Sequence, residues 1–235
     1  MSEPAIVAGS RTPSVVAEEF DRLAVLPEGW DFNQHEHRHL LGLLPDRVES
    51  LLDVGCGTGA FARAVAARCD RVTAIDLSPG MVERARRHPA SPGNIEYSVR
   101  DVFSESLAPA SFDALVSIAA VHHIGLSAAF ARFASLLRPG GTMIVVDLVS
   151  PESLFDRAFW LAAYAFAPPI RFWNSGHLFQ PRAVRAAWAL HEEHDSFATM
   201  REVRAVSGNV LPGSRARRRL FWRYCLSWKR PDAAR

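Results

Sequence analysis

Short apolar runs alternate with amphipathic segments along the middle of the chain. Helical spacing of apolar residues predicts helices at 60–68, 79–88 and 126–137. The apolar runs around them have the character of buried strands, at 50–54, 71–75, 95–100, 112–118 and 142–148. Strands that alternate with helices are typical of a parallel sheet covered on both faces. The pattern therefore predicts an α/β core.

The pattern differs on either side of this core. Before it, apolar spacing predicts helices at 16–26 and 33–44, after a mobile lead-in at 1–15. After it, we expect an apolar helix at 152–166, a stop at Pro168 and Pro169, and helices near 181–190 and 196–206.

The tail of the chain shows a period of two. Trp222, Tyr224, Leu226 and Trp228 alternate with polar or small residues, which predicts a strand with one buried face. An antiparallel hairpin over 214–230 is therefore expected to close the sheet.

These segments define the organisation we expect for one domain. A chain of 235 residues, 49% hydrophobic, can bury one such core. The expected parts are lead-in and cap helices at 1–44, a ligand-binding core at 45–150, a helical insertion or lid at 151–213, and a strand hairpin at 214–235.

Charge is unevenly distributed, although the net charge is only +2. Residues 201–235 carry ten basic side chains against Glu202 and Asp232, so the rest of the chain is net acidic. We interpret the arginines at 215, 217, 218 and 219 as a solvated hairpin edge. No RNA-binding appendage is recognisable, and a nucleic-acid partner is not expected.

Cys56, Cys69 and Cys225 are scattered and form no C-x-x-C pair. Neither a disulfide framework nor a thiolate metal site is indicated, and a reducing, cytoplasmic location is expected. No apolar stretch reaches the length of about 20 residues that spans a bilayer, so stable membrane insertion is not expected. The helix at 152–166 is apolar almost all round, and is buried, covers an apolar ligand or lies against a membrane.

Residues 51–60 read Leu-Leu-Asp-Val-Gly-Cys-Gly-Thr-Gly-Ala, where a strand turns into a helix. Glycines there permit a sharp turn and a close approach of a ligand to the main chain. Gly55-x-Gly57-x-x-Ala60 also satisfies a loose dinucleotide fingerprint, and Asp76 could hold ribose hydroxyls in either case. The glycines alone leave a nicotinamide and an adenosyl cofactor open.

Three further features separate these alternatives. Asp53 adjoins the loop, where a carboxylate would repel a pyrophosphate but could receive the amino-acid end of S-adenosylmethionine. Asp101-Val102-Phe103 follows the third strand, where it could hold an adenine amino group. A Leu-Arg-Pro-Gly-Gly turn at 137–141 leads into the fifth strand. Together they favour the sulfonium cofactor.

With these blocks in order, residues 45–150 resemble the class I S-adenosylmethionine-dependent methyltransferases, specifically the small-molecule methyltransferase-like domain. The matching blocks lie at 51–59, 74–78, 101, 112–124 and 136–146. The resemblance implies S-adenosyl-L-methionine as cofactor and a Rossmann-like, seven-stranded, mostly parallel sheet with a reversed last strand. The expected cofactor-binding residues are Asp53, Gly55, Cys56, Gly57, Gly59, Asp76, Leu77, Met81, Asp101, Val102 and Ile118.

Methyl transfer is an in-line displacement at a carbon activated by the sulfonium, so alignment and desolvation supply most of the catalysis. A base is needed only for hydroxyl-like acceptors, and no metal is expected. His122 and His123 follow the fourth strand, at the sheet edge where ligands bind, and are the candidate catalytic residues. A structural hydrogen bond is the alternative role for each. Asp147 either orients an acceptor or caps a helix.

The remaining histidines carry weaker expectations. His35 and His39, near Trp30 and Phe32, form either a lid over the cofactor or a polar surface helix. His177 is a further candidate acceptor ligand. The pair His191 and His194 is expected on a solvated helix face.

These observations predict a methyltransferase acting at O, N or C of a small, partly apolar metabolite, in bacterial secondary metabolism. Three alternatives stay open at this point. They are a non-methylating reaction assisted by the same cofactor, a regulatory protein that binds the cofactor without turnover, and a nicotinamide-dependent dehydrogenase. The acceptor atom and the oligomeric state also stay open.

Overall fold

The computed structural model of the protein describes residues 11–27, 29–193 and 195–232. Its centre is a seven-stranded sheet with the order β3-β2-β1-β4-β5-β7-β6. The first five strands are parallel, whereas β7 runs antiparallel to both β5 and β6. The strands are β1 (Val48–Val54), β2 (Cys69–Asp76), β3 (Ile95–Val99), β4 (Phe112–Ile118), β5 (Leu137–Leu148), β6 (Arg215–Arg219) and β7 (Arg223–Lys229). The Rossmann-like sheet and its reversed hairpin are thus confirmed.

Helices precede the sheet, connect its strands and follow β5. They are α1 (Pro13–Ala24), α2 (Phe32–Leu43), α3 (Ala60–Val65), α4 (Pro79–Arg87), α5 (Val121–Ile124), α6 (Leu126–Leu136), α7 (Leu154–Ser175), α8 (Arg182–Glu192) and α9 (Met200–Val210). None of the helices in the described part of the chain is long and apolar enough to cross a membrane.

The core consists of two apolar clusters, one on each face of the sheet. Alternate residues of a strand point to opposite faces, so Leu52 and Leu115 join one cluster while Leu51 and Ala114 join the other. Helices α6 and α9 cover the first cluster, and α2, α3 and α4 cover the second. Burial on both faces explains the nearly continuous apolar strands.

Helix α7 differs from the prediction, because it continues through Pro168 and Pro169 to Ser175. The expected stop was wrong. A proline in a helix leaves the carbonyl four residues earlier without its donor. The residues four positions before the two prolines are Tyr164 and Ala165, and both are exposed, so this part of the helix is open to solvent.

Two other boundaries were also wrong. Helix α1 begins at Pro13, inside the expected lead-in, whose residues 1–10 lie outside the described chain. Strand β5 begins at Leu137 rather than at 142, because it includes the Arg-Pro-Gly-Gly segment.

The hairpin arginines are only partly solvated. Arg215 and Arg217 are exposed as expected. Arg219 donates to Glu36 at 2.9 Å, and Arg218 pairs with Asp156 at 2.9 Å. For these two residues the expectation was wrong, because buried carboxylates on α2 and α7 face the hairpin.

Candidate active site

A cavity of about 470 Å³ opens where the carboxyl ends of β1, β2 and β4 meet the covering helices. Its volume is within the range of about 300–1,000 Å³ that small-ligand sites occupy. The loop between β1 and α3 lines it on one side, and residues of α1, α2, α5 and α8 line it elsewhere. The cap helices and the insertion therefore both contribute to one site.

Two glycines of the loop between β1 and α3 lie against neighbouring side chains, whereas a third faces open space. A Cβ on Gly55 would lie 2.5 Å from the Cβ of Ala120, and a Cβ on Gly59 would lie 2.6 Å from the Tyr97 ring. Both glycines have positive φ values, 72° and 76°. In contrast, a Cβ on Gly57 would meet no atom within 4 Å. Gly57 is where the main chain is open to a cofactor.

Asp53 is buried, and its Oδ2 has no hydrogen-bond partner within the described chain. Burial, together with the nearby charge of Asp76, raises the pKa of Asp53 to about 7. An unpaired buried oxygen of this kind indicates a missing ligand donor. The ammonium group of an amino-acid moiety is such a donor and carries the complementary charge.

Asp76 connects the second strand to the glycine loop. Its Oδ2 accepts from the Gly57 amide at 2.8 Å, and its Oδ1 accepts from the Ser78 amide at 2.9 Å. Burial raises the pKa of Asp76. Each carboxylate oxygen can accept a second hydrogen bond. Asp76 is thereby fixed in position and can still bind two ribose hydroxyls.

The predicted cofactor residues converge in the structure. Asp101 lies at the cavity, and its side chain also accepts from the Phe103 amide at 2.9 Å. Gly59 is the exception, since it packs against Tyr97 rather than lining the cavity. The lining residues among those predicted are Asp53, Gly55, Cys56, Gly57, Asp76, Leu77, Met81, Asp101, Val102 and Ile118.

His122, which lines the cavity just after β4, forms a buried pair with Asp147, near the end of the neighbouring strand β5. The Asp147 Oδ1 lies 2.6 Å from Nδ1 of His122, and Asp147 Oδ2 accepts from the His122 amide at 2.7 Å. Because a carboxylate can only accept, Nδ1 of His122 carries the proton. Its Nε2 is therefore the basic nitrogen, held in one orientation by two contacts.

His123 stacks beside His122, with 3.9 Å between the ring centroids. Burial, followed by the neighbouring His122, His191 and Arg11, lowers the pKa of His123 to about 2. Arg11 approaches its Nδ1 at 3.4 Å, and its Nε2 is buried without a partner. His123 is therefore a neutral imidazole at physiological pH.

Three imidazole rings lie around the carboxylate of Asp195. The nearest nitrogens of His122, His123 and His191 lie 3.7, 3.7 and 3.6 Å from it, and the Arg11 guanidinium also contacts it. The positions of His122, His123 and Asp195 would allow them to share one ion. However, Arg11 already supplies the positive charge at this point.

The expectation that His191 is solvated was wrong. His191 is buried, its Nδ1 lies 2.9 Å from Glu19, and its ring packs against Phe20 and Trp188. Burial lowers its pKa. The contact with α1 buries this side chain, although the residues that follow it in the sequence are polar. His194 lies outside the described residues.

Sequence reasoning also missed Arg11, Glu19, Asp21 and Asp195. Each has at least one partner that is distant along the chain, such as His191 for Glu19 and Ser78 for Asp21. No short motif contains such pairs, so only a three-dimensional arrangement reveals them.

Aromatic side chains line the cavity beside the histidines. Phe20, Trp188, Phe197 and Trp222 all face it, and the Phe197 ring centroid lies 5.2 Å from that of His122. Arg171 enters the cavity from α7, stacked 5.7 Å from the Trp30 and Phe32 ring centroids. This part of the cavity suits a partly apolar molecule.

The other candidate histidines are not in the cavity. His177 is exposed, and its Nδ1 lies 2.8 Å from the Ser175 carbonyl, so its expected role as an acceptor ligand was wrong. His35 packs against Trp30 and Phe221 outside the cavity, as part of an aromatic cluster rather than a lid. His39 does not line it either. From α2 it is Phe32, Asn33, Gln34 and His37 that do.

Comparison with known proteins agrees with this geometry. The family model described as "Methyltransferase domain" matches residues 51–141. An uncharacterised methyltransferase of Mycobacterium tuberculosis is 31% identical over 216 residues, covering 88% of this chain and 100% of that protein. The ubiquinone biosynthesis O-methyltransferase of Xanthomonas campestris pv. campestris is 35% identical over 162 residues, covering 62% of this chain and 67% of that protein.

Solved structures share the fold. The N-methyltransferase NodS from Bradyrhizobium japonicum, in complex with S-adenosyl-L-homocysteine, superimposes with a TM-score of 0.61 at 18% identity, covering 92% of this chain and 98% of NodS. The nicotinamide alternative was therefore wrong. The chain belongs to the class I S-adenosylmethionine-dependent methyltransferases, and S-adenosylmethionine is its cofactor.

Proposed function

We propose that the protein transfers the methyl group of S-adenosylmethionine to a hydroxyl oxygen of a small, partly apolar molecule. The observation that carries this proposal is His122, which lines the cofactor cavity and is oriented by Asp147 behind it. A hydroxyl oxygen becomes a good nucleophile only as its proton leaves, whereas a neutral amine already has a free electron pair. A fixed base next to the cofactor therefore favours a hydroxyl acceptor.

The cavity has acidic side chains for three parts of S-adenosylmethionine, namely its ammonium group, its ribose and its adenine. When bound, this cofactor supplies a methyl group on a positively charged sulfur. Asp53 receives its ammonium group, Asp76 binds its ribose hydroxyls, and Asp101 holds its adenine amino group, with Leu77 and Met81 beside the adenine ring. These assignments rest on the orphaned Asp53 oxygen, the spare acceptor positions of Asp76 and the open space at Gly57.

His122 removes the acceptor proton in this proposal. Its Nε2 takes the proton from the hydroxyl, while Nδ1 continues to donate to Asp147, so the imidazolium that forms lies against a carboxylate. His123 stays neutral and packs against His122, which restricts the ring. Asp195 lies 3.7 Å from the His122 Nε2 and is itself paired with Arg11.

The acceptor is expected to carry an aromatic or other apolar part. Phe20, Trp188, Phe197 and Trp222 provide apolar surface next to His122. The name of the Xanthomonas relative, an O-methyltransferase of ubiquinone biosynthesis, supports a hydroxyl acceptor. We place the protein in the cytoplasm, and the free, buried Cys56, Cys69 and Cys225 are consistent with a reducing compartment.

The domain division follows the same reasoning. We propose that 45–150 bind the cofactor, while 1–44 and 151–213 form the cover and select the acceptor. Residues of α1, α2 and α8 that line the cavity support this division.

A product screen tests the proposal. The protein is incubated with S-adenosylmethionine and matched aromatic compounds that carry a hydroxyl, an amine or neither, and mass spectrometry follows the products. We expect S-adenosylhomocysteine together with a hydroxyl compound heavier by one methyl group. S-adenosylmethionine that binds but is never converted to S-adenosylhomocysteine would favour the regulatory alternative, and a product of unchanged methyl content would favour the non-methylating one. Methylation of the amines alone would overturn the hydroxyl assignment.

A further inference from the structure

The outward surface of α7 and α8 is unusually apolar. Nine of the fifteen exposed large apolar side chains in the described chain lie between residues 154 and 190, and Trp173 is 89% exposed. We call this set the outer face: Leu154, Leu161, Tyr164, Phe166, Phe172, Trp173, Leu178, Phe179 and Leu190. Single exposed apolar residues are ordinary, but a concentrated set of this kind marks an interaction site.

The apolar residues of α7 follow helical spacing on the side away from the core. Leu154, Ala158, Leu161, Ala165 and Phe172 are separated by intervals of three, four or seven residues, and all are exposed. The opposite side of the helix holds buried groups, namely Asp156, Ala163 and Arg171. Helix α7 therefore presents an apolar stripe outward, while Asp156 and Arg171 face inward.

The charged residues between 157 and 191 are all arginines, although exposed Glu152 and Glu193 lie beyond the two ends of this segment. Residues 157–191 contain no Asp or Glu, although the chain has 25 acidic residues in 235. Arg157, Arg182 and Arg185 are exposed in this segment, and Arg185 lies 5.9 Å from the Phe179 ring centroid. None of the three arginines pairs with an acidic side chain in the described part of the chain. An exposed apolar stripe with arginines along its length matches an anionic lipid surface.

We propose that the outer face docks the protein on a bilayer that contains anionic lipids. Trp173, Phe166 and the leucines would enter the boundary between headgroups and acyl chains, and the arginines would contact lipid phosphates. The helices lie on the surface rather than crossing it. A second copy of the chain fits this face less well, because self-association would bring the two sets of arginines together.

This docking goes beyond methyl transfer and does not depend on it. It does, however, place the acceptor cavity next to the lipid. Arg171 reaches the cavity from α7, and the Trp160 carbonyl of the same helix accepts from Nε1 of the cavity residue Trp222 at 3.1 Å. A molecule dissolved in the bilayer would thus be close to the cavity.

Vesicle flotation with the full-length protein tests the proposal. The vesicles contain phosphatidylcholine and phosphatidylglycerol in equal parts, or phosphatidylcholine alone. We expect wild-type protein to float with the mixed vesicles and to bind the neutral ones more weakly. The double variant Phe166→Glu/Trp173→Glu should bind the mixed vesicles at least about tenfold more weakly. Val25→Glu, at an 84% exposed apolar residue after α1, should bind like the wild type.

Both residues of the double variant are exposed, 61% and 89%, so the charges remain in water and the fold is retained. Circular dichroism and S-adenosylhomocysteine affinity verify this. Wild-type protein that does not float, equal binding to both kinds of vesicle, or undiminished binding of the double variant would each overturn the proposal. A dimer that the double variant converts to a monomer, without vesicle binding, would assign the face to a second copy instead.

Discussion

Asp53 is a buried carboxylate whose proposed role in binding the cofactor comes at the expense of stability. In the unfolded chain it loses its proton near its ordinary pKa of 3.8, whereas in the folded, ligand-free protein it keeps the proton up to about pH 7. Between these values the folded state binds more protons than the unfolded state. The contribution of Asp53 to the free energy of unfolding therefore falls as the pH rises from about 4 to 7.

Replacing Asp53 with Asn should remove this pH dependence. We expect the ligand-free variant to gain stability relative to the wild type on going from about pH 4 to pH 7, on the order of a few kcal/mol. Its affinity for S-adenosylhomocysteine should fall by about tenfold or more, because the ammonium loses its charged partner. Urea unfolding across the pH range and calorimetric titration measure the two effects.

Asp70→Asn is the matched control, since Asp70 lies on the neighbouring strand β2 and pairs with Arg47 in an exposed position. It should change neither quantity appreciably. A wild-type pH slope and wild-type affinity in Asp53→Asn would contradict the role assigned to this carboxylate.

At the level of elements, α1 is held on the core through a helix terminus. Asp21 of α1 accepts from the Ser78 hydroxyl at 2.5 Å and from the Gly80 amide at 2.8 Å, at the start of α4. A carboxylate at a helix N-terminus satisfies free amides and interacts favourably with the helix dipole. The cap helix thereby covers the cavity that Phe20 and Leu23 line.

Asp21→Ala should loosen this docking. We expect a loss of about 1–2 kcal/mol in the free energy of unfolding, because Ser78 and Gly80 lose their acceptor. Faster amide hydrogen exchange should be confined to α1 and the first turn of α4. Glu18→Ala is the comparison, since Glu18 is exposed and meets only Arg22, at 3.9 Å. If both variants behave alike, the Asp21 contact does not hold α1.

The elements also show what local sequence can and cannot predict. The positions of the strands could be predicted from apolar runs. The glycine loop could be predicted from residues that are neighbours in the sequence. The end of α7 could not, because a proline's penalty depends on whether solvent reaches the carbonyls it leaves unpaired. Exposure of Tyr164 and Ala165 is a property of the folded chain, not of the Pro168–Pro169 pair.

On the scale of the whole molecule, the site joins parts that the sequence keeps far apart. The cofactor residues were predictable because the loop at 51–59 and Asp76 belong to one strand-helix-strand unit. The contact between Glu19 and His191 could not be predicted. These residues come from α1 and α8, and they meet only when both helices cover the sheet. His122 was found from its place after β4, but its partner Asp147 could be assigned only from the pairing of β4 with β5.

The most direct test of the account is the turnover of a hydroxyl acceptor by His122→Asn. Asn can still donate to Asp147 but has no nitrogen that can take a proton. We predict that kcat falls by about a hundredfold or more while the affinity for S-adenosylhomocysteine is unchanged, with His177→Asn, at an exposed histidine outside the cavity, behaving like the wild type. An unchanged kcat in His122→Asn would contradict the proposed base.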